Sequence, residues 1–250
     1  MATSLLVRVK RQDGPNMPSR WEEFEVPYKP NLNVISVLQA IQRNPVMRDG
    51  TSTTPVVWDS NCLEEVCGAC TMVVNGQVRQ SCSALIDRVA PDRQLTLEPM
   101  TKFPVIRDLV VDRSRMFEAL KKVRAWIPID GTYDLGPGPR IAEEKRAEAY
   151  KLAECMTCGC CVEVCPQYND RSNFLGAAAI SQVRLFNTHP TGAMTASSRL
   201  EALMGEGGIQ DCGNAQNCVE ACPKEIPLTT SIGTMGRATT LAWLKQIFDR

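Results

Sequence analysis

Cys155-Met-Thr-Cys158-Gly-Cys160-Cys161-Val-Glu-Val-Cys165-Pro166 is the stretch on which the reading of this chain turns: it carries five of the twelve cysteines. The first, second, fourth and fifth of these fall into C-x2-C-x2-C-x3-C-P. The same spacing recurs in Cys212-Gly-Asn-Ala215-Gln-Asn-Cys218-Val-Glu-Ala-Cys222-Pro223, with Ala215 where the second cysteine would stand. The remaining four, Cys62, Cys67, Cys70 and Cys82, are spaced C-x4-C-x2-C-x11-C. Clustered thiols mean disulfides in an oxidising compartment and metal in a reducing one. The opening Met1-Ala-Thr-Ser-Leu-Leu-Val-Arg-Val-Lys10 has neither a secretory apolar core with a cleavage site nor an Arg-rich transit pattern. The expectation is therefore a reducing compartment and metal. No run approaches the roughly 20 apolar residues that span a bilayer, so any membrane role is expected to be peripheral. Lys+Arg and Asp+Glu both number 28, and this balance offers no basic surface for nucleic acid.

The C-x2-C-x2-C-x3-C-P run is that of bacterial ferredoxins, in which the fourth cysteine of each run ligates the other cluster. Applied here, Cys155, Cys158, Cys161 and Cys222 form one thiolate set, suited to [4Fe–4S]. Cys165, Cys212 and Cys218 form the other. Ala215 supplies no fourth ligand, so [3Fe–4S] is expected there. The C-x4-C-x2-C spacing of Cys62, Cys67 and Cys70 is that of plant-type ferredoxins, and with Cys82 it predicts a [2Fe–2S] cluster. Gly68 lets backbone amides approach those sulfurs. Eleven of the twelve cysteines are thereby used. Ligation by Cys160 would break the template, and it reads as a small buried hydrophobe. The competing reading, a structural zinc protein, expects two separated C-x2-C pairs, which the first set lacks. No dinucleotide fingerprint or phosphate loop accompanies the clusters, and the single His189 sits in a turn-like Asn187-Thr-His-Pro-Thr-Gly192 without a catalytic partner pattern. No catalytic residue is expected; one-electron relay is.

Periodicity places these loops on a fold. Residues 5–10 and 22–26 alternate as strands, and Asn31 to Gln42 reads as a helix capped by Asn31 or Asn33. Asn75-Gly76 within Thr71–Arg79 predicts a hairpin that folds Cys82 back towards the loop, and Arg93 to Glu98 adds a strand. Helices are expected over Arg113–Trp126, ended by Pro128, and over Ala142–Glu154, Ser181–Phe186, Ser197–Met204 and Thr239–Phe248. The fold class is α+β: a plant-type ferredoxin (β-grasp) domain over 1–105, a connecting segment over 106–141 with the Gly/Pro-dense Asp130–Pro139, and an α-helical, bacterial-ferredoxin-like domain over 142–250.

A plant-type set followed by a four-iron run and a three-iron run resembles the iron–sulfur subunits of succinate dehydrogenase and fumarate reductase. Phe103-Pro-Val-Ile-Arg-Asp-Leu-Val-Val-Asp-Arg-Ser-Arg-Met116 and Cys222-Pro-Lys-Glu-Ile-Pro227 carry the likeness beyond the cysteines. Trp126–Pro139 and Arg184–Met194 are similar to the branch found in Gram-positive bacteria. The resemblance implies a flavoprotein partner with covalent FAD that oxidises succinate, and electrons passing through [2Fe–2S], [4Fe–4S] and [3Fe–4S] to quinone. It further implies a membrane-anchor subunit with haem b and a place on the cytoplasmic face of the membrane. Fumarate reductase is the alternative within the family. Ubiquinone-reducing relatives carry a Trp shortly after the Cys-Pro of the first run and a His after the first Cys of the second. Here Cys165-Pro-Gln-Tyr-Asn-Asp170 has no Trp and Gly213 follows Cys212. Only Pro166 carries over as a quinone-proximal residue, which fits menaquinone.

Overall fold

The computed structural model describes residues 4–128 and 140–248. The chain divides into two compact units, one running to Arg113 and including Met156–Glu163, the other formed by Ser114–Cys155 and Val164 onward. The Gly/Pro-dense connection expected at 130–139 lies outside the described residues.

In the first unit, β1 (Ser4–Arg11) pairs antiparallel with β2 (Arg20–Pro27). Alternation explains the pairing: Leu5, Val7 and Val9 face the core opposite Val26 and Phe24, and a one-residue slip would expose the whole row. The helix α1 (Val34–Arg43) begins at Asn33, whose side chain accepts the Ser36 N–H at 2.8 Å. It buries Val34, Val37, Leu38 and Ile41 against the sheet. Strands β3 (Thr71–Val74) and β4 (Gln77–Gln80) form the expected hairpin, with Asn75 at φ 47° and Gly76 at φ 77°. These angles fit a type I′ turn, which matches strand twist. After the short α2 (Ile86–Val89), β5 (Gln94–Glu98) enters between β1, to which it is parallel, and β3. The order β2-β1-β5-β3-β4 with one helix across it is a β-grasp sheet. A two-stranded ribbon, β6 (Val105–Arg107) with β7 (Val110–Val111), completes this part. The inward position after Val9 on β1 is Arg11, wholly buried. Its guanidinium donates to Glu22 at 2.7 Å and to Asp108 at 2.8 Å, so a buried charge is paired on both sides.

The second unit is helical: α3 (Ser114–Lys122) and α4 (Glu143–Ala153), then, beyond the short α5 (Cys160–Glu163) of the first unit, α6 (Ala177–Thr188), α7 (Pro190–Ala193), α8 (Ala196–Met204), α9 (Asn217–Glu220) and α10 (Leu228–Phe248). Val123, Phe174, Ile180, Val183, Leu203 and Met235 form its core. Three of these helices differ from expectation in extent, and α6 spans Ala177–Thr188 where Ser181–Phe186 was expected. α3 stops at Lys122 rather than Trp126, because Arg124 turns left-handed at φ 51° and the carbonyls of Arg124 and Trp126 accept from the buried Arg199 guanidinium. α10 starts eleven residues before Thr239 and runs through Gly233 and Gly236, each of which lowers local helix propensity. Packing against α6, where Ser181 and Ser231 hydroxyls meet at 3.4 Å, supplies what propensity lacks. His189 caps α7, its Nδ1 accepting from Thr191 and Gly192 N–H groups, which is a structural use. Among the described residues no helix is long and apolar enough to cross a membrane.

Candidate metal centres

In the first unit the segment between α1 and β3 wraps Cys62, Cys67 and Cys70. Leu63 and Glu65 take positive φ, as does Gly68 at 71°, so successive N–H groups turn towards the sulfurs. Cys62 Sγ accepts from Glu64 N at 3.4 Å and Val66 N at 3.3 Å, and Cys67 Sγ accepts from Ala69 N at 3.4 Å. The Glu64 N–H, then that of Val66, pull the Cys62 thiol down to about 7. Cys70, at the mouth of β3, and Cys82, just past β4, are buried together with Ile35. Burial pushes the Cys70 thiol up to about 12. Ser81, beside Cys82, buries a hydroxyl that has no hydrogen-bond partner among the described residues. A buried hydroxyl left so costs about 1–3 kcal/mol, and an anionic sulfide is the kind of acceptor that relieves it. Amide donors at the rim, buried thiols behind and a waiting hydroxyl fit a [2Fe–2S] cluster.

Met156–Glu163, from the long cysteine run, belongs to this same unit and is fastened to the loop. A side-chain carbon on Gly68 would lie 2.8 Å from Cys158 Cα and 2.9 Å from its Cβ, so only glycine allows this approach. Arg113 Nη1 donates to the Gly68 carbonyl at 2.7 Å and to the Cys158 carbonyl at 3.4 Å. Glu163, 9% exposed, accepts from Thr101 N at 2.7 Å, Thr101 Oγ1 at 2.6 Å and Lys102 N at 3.1 Å. Cys158 and Cys161 are buried on this segment. The Cys158 thiol is pulled down to about 7, chiefly by a hydrogen bond from Cys160, and the same bond together with burial drives Cys160 upward.

Cys155 and Cys222 lie in the second unit, both half-buried, and Cys222 Sγ accepts from Ile226 N at 3.4 Å. So do Cys165, Cys212 and Cys218, and these three line a single concavity with Ala215. Burial raises the Cys218 thiol first, and the charges of Cys165 and Cys212 add to it, as expected of three neighbouring sulfurs. Asn214 at φ 52° and Gln216 at φ 64° hold the Ala215 turn open. Three thiols and a methyl lining one concavity fit a cluster lacking one iron. Pro166 is exposed at this concavity. Gln167 lies across Gly213, where an ideal Cβ would come within 2.2 Å of its amide nitrogen.

Residues 6–118 match the 2Fe-2S iron-sulfur cluster binding domain and residues 151–226 the 4Fe-4S dicluster domain. Along 240 residues, 96% of this chain and 94% of the relative, the chain is 63% identical to the succinate dehydrogenase iron-sulfur subunit of Bacillus subtilis. The chain belongs to this iron–sulfur subunit family. Fumarate reductase iron-sulfur subunits stand further off: that of Wolinella succinogenes is 28% identical over 95% of this chain and 98% of its own. That of Mycobacterium tuberculosis is 30% identical, with 82% and 80% covered. The fold matches a chain in the Mycobacterium smegmatis Sdh1 complex in the apo form, with a TM-score of 0.79 and 25% identity over 96% of both chains. The family's α+β architecture, a β-grasp ferredoxin domain followed by a helical dicluster domain, is thus the one read from the sequence.

The sequence located the thiols of this iron–sulfur subunit and Gly68 beside them, but none of the side chains that support them. Arg113 and Glu163 escaped notice because they act across 45 or more residues, and Gln80 because its partners Cys70 and Cys160 meet it only once the hairpin and α5 are folded. Gln167 had a weak signal: a glycine directly after Cys212 leaves room for a neighbouring side chain.

Proposed function

We propose that the chain is the electron-relay subunit of a succinate dehydrogenase, working between a flavoprotein and a membrane quinone. Its far greater identity to the succinate dehydrogenase relative than to the fumarate reductases is the observation that carries this reading. Cys62, Cys67, Cys70 and Cys82 would hold [2Fe–2S]; Cys155, Cys158, Cys161 and Cys222 would hold [4Fe–4S]; Cys165, Cys212 and Cys218 would hold [3Fe–4S]. The clusters supply one-electron carriage, and the polypeptide's part is to fix their order and tune their potentials through amide and hydroxyl donors. Amides at Glu64, Val66 and Ala69 favour the charged sulfurs at the first site. Ala215 withholds a thiolate at the third, which lowers the negative charge there and suits the exit centre, next to quinone. Pro166 and Gln167 are the residues we assign to the quinone side. FAD in the flavoprotein, haem b in an anchor subunit, menaquinone as acceptor and attachment at the cytoplasmic membrane face complete the proposal.

Affinity purification of the chain from membranes, followed by assay in both directions with matched quinones, tests it. Co-purification of a flavoprotein with faster succinate oxidation using menaquinone-type acceptors is expected. Purification without any succinate- or fumarate-binding flavoprotein would overturn it, and faster fumarate reduction would transfer the chain to the alternative reading.

A further inference from the structure

The twelfth cysteine is not idle. Cys160 is fully buried, and the nearby Gln80 is too, at the end of β4 and eighty residues away in sequence. Gln80 Nε2 donates to Cys160 Sγ at 3.7 Å and to Thr71 Oγ1 at 2.8 Å, while its Oε1 accepts from the Cys70 thiol at 3.6 Å. One amide therefore stands between a sulfur assigned to the first cluster and a thiol flanked by two sulfurs assigned to the second.

We infer that Gln80 is a positioning residue that couples the two sites, its amide held by Cys160 and donating to the Cys70 sulfur when the first cluster is bound. This rests on Cys70 being a ligand of that cluster, as proposed above. A ligating sulfur has released its proton and can only accept. An amide presents oxygen on one side and N–H on the other, so turning it over gives Cys70 a donor. The neighbours tolerate the turn. Cys160, outside the ligand set, then turns to Oε1 the S–H that it gives Cys158 in this structure, and Cys158 keeps the Cys160 backbone N–H. The Thr71 hydroxyl, which in this structure donates to the Gly68 carbonyl at 2.8 Å, swings to Oε1 as well. The Gly68 carbonyl keeps its 2.7 Å bond from Arg113, so no buried acceptor is stranded. A donor on a ligand sulfur stabilises the more negative, reduced cluster and raises its potential. Cys160 thereby influences the first cluster without touching it.

The test is an EPR-monitored redox titration of the intact complex carrying wild-type, Gln80→Leu, Cys160→Ala or Cys160→Ser chains. Gln80→Leu and Cys160→Ala should each keep the [2Fe–2S] signal with its reduction equilibrium about tenfold less favourable, about 59 mV lower for a one-electron couple. Cys160→Ser, which restores a donor of similar size, should return close to wild type. Retained signals at an unshifted midpoint in Cys160→Ala would overturn the inference. Should Gln80→Leu fail to assemble, Cys160→Ala and Cys160→Ser decide alone. If either Cys160 variant loses the [4Fe–4S] signal, Cys160 is a ligand and the inference fails. An exchangeable proton coupled to the reduced [2Fe–2S] centre should weaken in Cys160→Ala, which a purely structural role would not produce. Absence of a [2Fe–2S] signal from wild type would instead refute the cluster assignment beneath it.

Discussion

Replacing Gly68 with alanine probes the junction between the loop of the first cluster and the Cys158 segment. Two costs add. Gly68 stands at φ 71°, a left-handed angle that charges an L-residue about 1–2 kcal/mol. The new methyl would meet Cys158 Cα at 2.8 Å, Cys158 Cβ at 2.9 Å and the Met156 carbonyl at 3.1 Å, all on or next to backbone. Forcing a methyl into such a contact costs about 1–3 kcal/mol more. Taken near the middle, about 3 kcal/mol lowers the melting temperature of a chain this size by about 6–12 °C. Gly50 is the control: it has φ 87° with nothing within 4 Å, so Gly50→Ala carries the conformational cost alone, about 1.5 kcal/mol, and should lose about 3–6 °C. Both would be followed by circular dichroism at one scan rate on anaerobically purified protein, with visible absorbance reporting the clusters. If Gly68→Ala melts no lower than Gly50→Ala, the close approach does not exist and the reasoning fails.

Ala215→Cys should let the third site take up a fourth iron on anaerobic reconstitution and lose its three-iron EPR signal; an unchanged signal would count against the template that aligns Ala215 with a ligand. Glu163→Ala should cost about 3 kcal/mol in urea unfolding, since it strips a buried acceptor from three donors; a loss below about 0.5 kcal/mol, the scale of an ordinary surface change, would remove its fastening role. Strong chelator under air should bleach the visible absorbance and lower protection of the cysteine loops in hydrogen exchange together, because binding and folding are coupled. Bleaching with unchanged protection would mean the loops are preformed without metal.

What was legible in the sequence was what short-range chemistry dictates. Asn31 or Asn33 announces a cap because its side chain can accept a first-turn N–H, Asn75-Gly76 announces a turn because few residues take positive φ, and Cys spacing is held by the reach of a short loop around metal. The β1 alternation was equally plain, yet Arg11 in its inward row gave no hint of Glu22 and Asp108, the second of which lies 97 residues away. α10 was half seen, because Gly233 and Gly236 depress local propensity while contacts with α6 and α8, invisible to periodicity, hold the helix. Cys160 read as inert for a similar reason. A buried thiol looks apolar until its partner Gln80 arrives from β4. The thiols and Gly68 were readable; the side chains around them were not.

Low-temperature EPR of the air-oxidised, dithionite-free protein addresses the four-four-three sharing of thiolates most directly. Two ferric ions can pair their spins, and so can a fully oxidised four-iron centre of the ferredoxin kind, but three ferric ions cannot. A signal from a three-iron centre, near one spin per chain and lost on mild reduction, is the predicted result. An EPR-silent oxidised protein that still contains iron and sulfide would contradict it.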